Sequence, residues 1–76
     1  MNIQEATKVA LEEGEFITRE TKEFAPYRIL PTDTDDCFIV YIAKEFIEVV
    51  GTSIPGKRWN PKAEDILAND WAVKPL

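Results

Sequence analysis

The residues in this chain best suited to chemistry gather near its C-terminus. Trp59 follows Lys57 and Arg58 and precedes Asn60-Pro61. A tryptophan face stacks on a planar ring, basic side chains pair with phosphate, and backbone N–H groups at a helix N-terminus receive anions. Together they suit a nucleotide-like small molecule. The same residue types also serve structure, because a tryptophan here can anchor a core or a subunit interface while Arg58 lays its stem across it. Arg19, at the end of a strand pattern, is either a second ligand-facing cation or the partner of Glu15 or Glu23 in a surface ion pair. Asp65 and Asn69 can share one helix face. Glu64 and Asp65, being adjacent, diverge by about 100° and form no convergent acid–base pair. Their structural role is to complement the positive end of a helix dipole.

Catalysis finds little support. The 76 residues include no histidine and a single cysteine. Cys37 therefore lacks a base and reads as a small packing residue at a strand edge. A zinc site would lack its usual ligands, and an internal disulfide is excluded. Asp33, Asp35 and Asp36 invite a calcium reading, but an EF-hand loop counted from Asp33 would place Phe38 and Lys44 where glycine and glutamate belong. That stretch reads as a solvated turn. No phosphate-binding glycine loop or nucleophile elbow is present. We expect no catalytic residue, no metal and no cofactor.

The formal net charge of -5 disfavours a nucleic-acid partner. No apolar run approaches the ~20 residues of a membrane span, and the N-terminus carries no basic-then-apolar signal pattern. The chain reads as a single cytosolic domain over residues 1–76. A chain of this size buries only about 60% of its unfolded surface. With disulfide and zinc excluded, oligomerisation is the expected extra source of stability.

The elements that must position these residues follow from patterning. Asn2 with Glu5 forms a capping-box pattern, Ile3, Ala6 and Ala10 form one stripe, and Gly14 ends the helix. Glu12 and Glu13 oppose the dipole, so packing must hold this helix. Glu15 to Arg19 reads as a strand, Glu20 to Glu23 as a loop, and Phe24 to Pro31 as an extended segment with Pro26 and Pro31 at strand ends. Cys37 to Ala43 reads as a central strand buried on both faces. Residues 44–50 fit either a helix through Phe46 and Val49 or a strand; β-branched content and Gly51 favour the strand. Asn60 is the expected N-cap of a short helix with Pro61 at its first position and Asn69 closing it left-handed. Trp71 and Val73 alternate as a last strand. The class is α+β: a small antiparallel sheet of four to five strands with an N-terminal helix, and a short C-terminal helix followed by a last strand. The expected core is Ile3, Ala6, Ala10, Phe16, Ile29, Phe38, Val40, Ile42, Ile66, Leu67 and Trp71.

Two stretches carry a family resemblance. One is the N-terminal helix leading into Phe16-Ile17-Thr18-Arg19. The other is Arg58-Trp59-Asn60-Pro61 followed by Glu64-Asp65-Ile66-Leu67-Ala68-Asn69-Asp70-Trp71. The chain resembles the Thoeris anti-defence 2-like family of small phage and prophage proteins. That resemblance implies a homo-oligomer, typically a tetramer, in the bacterial host cytoplasm. It also implies a sponge that captures cyclic ADP-ribose-type immune signals, or in some members cyclic dinucleotides, without catalysis. By motif match Trp59 is the stacking residue and Arg19 and Asp65 its polar companions, with Arg58 beside them. Many members carry a tryptophan shortly after the strand arginine. Here Arg19-Glu20-Thr21-Lys22 holds no aromatic, and Phe24 is the nearest substitute. The competing reading is a phage protein that acts by binding another protein through its acidic surface and an exposed edge strand.

Overall fold

A computed structural model describes residues 1–47 and 58–76. The chain runs α1 (Ile3–Glu13), β1 (Phe16–Arg19), β2 (Tyr27–Pro31), β3 (Phe38–Ile42), a 3-10 turn (Lys44–Phe46), α2 (Ala63–Leu67) and β4 (Trp71–Lys74). The four strands form one antiparallel sheet in the order β3-β2-β1-β4.

Helix α1 forms as its ends dictate. Asn2 Oδ1 accepts the Glu5 N–H at 2.8 Å, and Glu5 Oε1 accepts the Asn2 N–H at 3.0 Å. Gly14 then leaves the helix at φ 67, a left-handed conformation that costs glycine nothing. The helix lies on the sheet through Ala6 and Ala10, which are fully buried. Their small side chains allow close approach. The start of α1 is also tied to β4, because the Trp71 N–H donates to the Met1 carbonyl at 3.0 Å.

The sheet register decides which side chains meet α1. Ile17 pairs with Ile29 on one side and Val73 on the other, Ile29 with Val40, and Arg19 with Trp71. Alternation puts these residues on one face, where Ala6, Ala10, Ile17, Ile29 and Trp71 form the core. Ile3, Phe24, Phe38, Trp59, Ala68 and Val73 pack around them. Phe16 points to the opposite face and meets Tyr41 edge-on with ring centroids 5.3 Å apart.

Several expectations are corrected. Ile17, not Phe16, is the buried hydrophobic residue of β1, with Thr18 buried beside it. Ile66 is 47% exposed and Leu67 77%, because α2 turns Asp65 inward instead. That helix starts at Ala63 with Lys62 as N-cap, not Asn60. The reason is local: Asp65 Oδ2 accepts the Lys62 N–H at 2.9 Å and fixes the helix start there. Nor does Asn69 close it left-handed. Ala68 leaves the helix in extended backbone (φ -69, ψ 151), and the chain passes directly into β4. The left-handed non-glycine residue among those described is Cys37, at φ 61. It is exposed in the turn between β2 and β3, where its N–H donates to Thr34 and its carbonyl accepts from the Thr32 hydroxyl. Among the described strands β3 ends the sheet order, and it is half-buried throughout instead of buried on both faces. Lys44–Phe46 turns as 3-10 helix, with the Phe46 N–H on the Ala43 carbonyl at 2.9 Å, which excludes the strand there. Residues 48–50 of that expectation lie outside the described residues.

Replacing Ile17 by Ala should cost roughly 2–5 kcal/mol, the range for emptying a tightly packed aliphatic site. Asn2→Ala should cost about 1 kcal/mol through the lost cap. Urea unfolding monitored by tryptophan fluorescence ranks the two. An Ile17→Ala loss no greater than that of Asn2→Ala would contradict the assignment of the core.

Candidate functional site

Trp59 is held by backbone and by rings. Its N–H donates to the Phe38 carbonyl at 2.8 Å, and Arg58 forms a bridge with Ile39, so this segment runs beside β3. The indole stacks on Phe38 (centroids 6.1 Å apart, planes at 24°) and meets Trp71 edge-on (5.6 Å, 77°). Phe24 packs edge-on against Trp71 at 5.7 Å. Four aromatic rings thus form a continuous row, in geometries that ring quadrupoles favour. Trp71 is the buried one, and its indole N–H donates to the Asp65 carbonyl at 2.8 Å.

A groove of about 330 Å³ opens beside this row. Phe24, Tyr27 and Trp59 supply its aromatic wall, and Glu23, Asn60, Lys62 and Asp65 its polar positions. Trp59 also lines a second groove of about 350 Å³, with Ile3, Thr7, Phe38 and Ile66 among its walls and no charged residue in its lining. The first groove combines stacking surface with charge and is the better match to a small polar ring compound.

Asp65 belongs to the wall. It is 3% exposed. Its Oδ1 accepts Arg19 Nη1 at 3.1 Å, while Oδ2 takes the Lys62 N–H. Arg19 continues to Asp70, donating from Nε to Oδ1 at 2.9 Å and from Nη2 to Oδ2 at 3.4 Å. Glu64 stands 3.7 Å from Nη1. The Arg19 guanidinium also lies over the Phe24 ring, 5.6 Å from its centroid. The hydrogen bond that Arg19 donates to Asp70 is the main cause that raises the Arg19 pKa, with burial opposing and Asp65 adding. The same bond to Arg19 is the main cause that holds the Asp70 carboxyl below its ordinary value.

The four anticipated residues therefore separate. Trp59 and Asp65 line the groove, Asp65 with both carboxylate oxygens engaged. Arg19 stands behind the wall and reaches neither of the two grooves that Trp59 lines. It positions Asp65 and Phe24, with two acids from the C-terminal segment as partners in place of the expected Glu15 or Glu23. Arg58 is exposed on the β3 side and lines neither groove. Asn60 and Lys62 belong to the expected helix N-terminus beside Trp59, whereas Tyr27 was not anticipated as a groove residue. Tyr27 shares the face of Ile29 by period-two spacing, and Lys62 follows Pro61 in the same short segment as Trp59.

The model of the Thoeris anti-defense 2-like (Tad2-like) domain matches residues 1–74. The chain belongs to this family. The match spans β2 and β3 as well as the two ends, so the whole described sheet is part of the Tad2-like domain. An anti-defence role comes with that membership. No curated protein and no solved structure matches the chain. Among the described residues no helix is long and apolar enough to cross a membrane.

Asp70 gives a test of the wall. Its folded pKa is depressed, so its pairing contributes stability above the ordinary aspartate value of about 3.9, and this is lost as pH falls through the folded value. Asp70→Asn should be less stable than the parent at pH 7 and should lose less stability between pH 7 and pH 3. Urea midpoints at both pH values check this; parallel losses in parent and variant would contradict it.

Proposed function

We propose that this Tad2-like chain is a non-catalytic binder of a cyclic nucleotide-type signal of the cyclic ADP-ribose class, captured at the Trp59 groove. One observation carries the reading. Trp59 is clamped between Phe38 and Trp71 while its free surface joins Phe24 and Tyr27 in an open groove, with Lys62 and Asn60 at the rim. A ring already fixed in place stacks on a base with little loss of side-chain freedom. In this reading Lys62 pairs with phosphate and Asn60 bonds a ring or ribose edge, since both line the groove.

Capture without turnover is the chemistry these residues favour. The buried acid of the groove, Asp65, already has both oxygens hydrogen-bonded, which leaves it poorly placed to accept a proton from substrate. Cys37 lines the other groove, and the sequence offers no histidine as its base. The chain would act as a sponge in the host cytoplasm, denying the signal to its effector.

Self-association fits the same picture. Ile66 and Leu67 leave an apolar edge on α2, close to Trp59 in sequence and, through Ile66, sharing a groove with it. Covering such side chains contributes about 1.5–3 kcal/mol each. A homo-oligomer, as large as the tetramer that the family resemblance implies, would close the grooves with a second copy.

Isothermal titration with cyclic ADP-ribose isomers and cyclic dinucleotides tests the binding. The parent should bind at least one of them, and Lys62→Glu should weaken that binding about tenfold or more without moving the thermal midpoint, as expected for a lost charge-assisted contact. Absence of heat across the panel would contradict the proposal. Leu67→Glu should lower the mass seen by light scattering. An unchanged oligomer would exclude α2 as the interface.

A further inference from the structure

The far face of the sheet holds a second arginine in a different situation from Arg19. Arg28 lies between Tyr27 and Ile29 on β2, so its side chain points away from α1 and the Trp59 groove. Its side chain is 10% exposed. Nε donates to the Pro75 carbonyl at 3.2 Å, and Nη1 to the carbonyls of Ala25 at 3.2 Å and Tyr27 at 2.9 Å. These bonds fix the guanidinium rigidly but bring it no negative charge. Its nearest acid is Glu45, with Oε1 4.0 Å from Nη2, beyond hydrogen-bond reach, and with its side chain 72% exposed. Arg19, at the same 10% exposure, binds two carboxylates at 2.9 and 3.1 Å. A buried cation ordinarily has a charged partner. Arg28 lacks a hydrogen-bonded one among the described residues.

The surroundings are basic, although the chain as a whole is acidic. Two open grooves meet at Arg28, Glu45 and Lys74. Lys44 lines one and Lys22 the other. The Lys44 N–H donates to a terminal carboxylate oxygen of Leu76 at 2.8 Å, so this acid also lines the groove, beside Glu45 and against the cations of Arg28, Lys44 and Lys74. The side-chain acids present are loosely held: Lys74 Nζ is 3.5 Å from Glu20, and both side chains are substantially exposed. Such exposed pairs contribute little and yield readily to a better partner.

We propose that this groove is a binding site for a phosphate-type oxyanion, received by Arg28 Nη2 and flanked by Lys44 and Lys74. Nη2 takes no part in the carbonyl bonds of Nε and Nη1, and Arg28 lines both grooves. A pre-fixed guanidinium edge suits a tetrahedral or planar oxyanion, and two neighbouring ammonium groups favour a dianion over a carboxylate. Glu45, on an exposed side chain, turns away when the anion enters. The site shares no residue with the Trp59 groove and stands independently of the function proposed there.

Inorganic phosphate is the probe, titrated into the whole ¹⁵N-labelled chain at constant ionic strength set by chloride. The Arg28 Nε–H resonance and the amides of residues 44 and 74 should shift saturably. In the Lys44→Gln/Lys74→Gln variant the Kd should rise about tenfold or more, while Lys62→Glu leaves it unchanged. Lysine-to-glutamine changes at these exposed positions preserve the carbonyl bonds of Arg28, and an unchanged thermal midpoint verifies that the fold is kept. An acetate series separates the sources: saturation by acetate as tight as by phosphate overturns the phosphate-type assignment in favour of a carboxylate. No saturable shift with phosphate, or equal binding in the double variant, overturns the site.

Discussion

Asp65 ties together elements from both ends of the chain. Its carboxylate joins Arg19 at the end of β1 to the start of α2, and its carbonyl receives the indole N–H of Trp71 from β4. Three elements distant in sequence are thereby fixed to one buried point. A helix of five residues has little stability of its own, since nucleation consumes most of what its few hydrogen bonds return. Here α2 is held by its N-terminal carboxylate instead of by an apolar stripe, which is why Ile66 and Leu67 are free to face outward. The row Phe38-Trp59-Trp71-Phe24 depends on the same point, because Trp71 is placed by the Asp65 carbonyl and Phe24 sits under the Arg19 guanidinium.

Much of the fold was legible in the chain because its signals are local. Asn2 and Glu5 announce a helix start, Gly14 its end, and Pro26 and Pro31 bound β2 as proline must. The readings that failed depend on distant partners. Ile66 and Leu67 fit an inward stripe until Arg19, 46 residues from Asp65 in the chain, draws that acid inward. The run from Cys37 to Ala43 is apolar enough for a central strand, but β4 pairs with β1 and so centres the described sheet on β1 and β2. Asn60 is a good cap in isolation and loses to the Asp65 carboxylate on the Lys62 N–H. The site divides the same way. Trp59 was legible from its aromatic surface and flanking charge. Arg19 has a role behind the wall that no spacing reveals, since its partners come from the other end of the chain. Tyr27 joins the groove through a strand register that hydrophobic alternation only partly determines.

The two arginines of the central strands divide the labour of the sheet. Arg19 is neutralised by acids and gives rigidity to one face, where the aromatic groove lies. Arg28 is fixed by carbonyls on the opposite face and keeps its charge for the solvent side. One face therefore offers stacking surface and the other offers charge, on a domain whose net charge would repel phosphate were its cations not gathered locally. Membership of the Tad2-like family places this architecture in an anti-defence setting, and the groove at Trp59 is a pre-formed aromatic surface.

The central claim is capture without chemistry, and the composition of the released ligand tests it most directly. The purified chain is equilibrated with a cyclic ADP-ribose-type signal, freed of unbound compound and denatured by heat, and the released small molecule is weighed by mass spectrometry. The account predicts recovery of the intact cyclic compound in stoichiometric amount. Recovery of a ring-opened or hydrolysed product, or of no nucleotide at all, would contradict it.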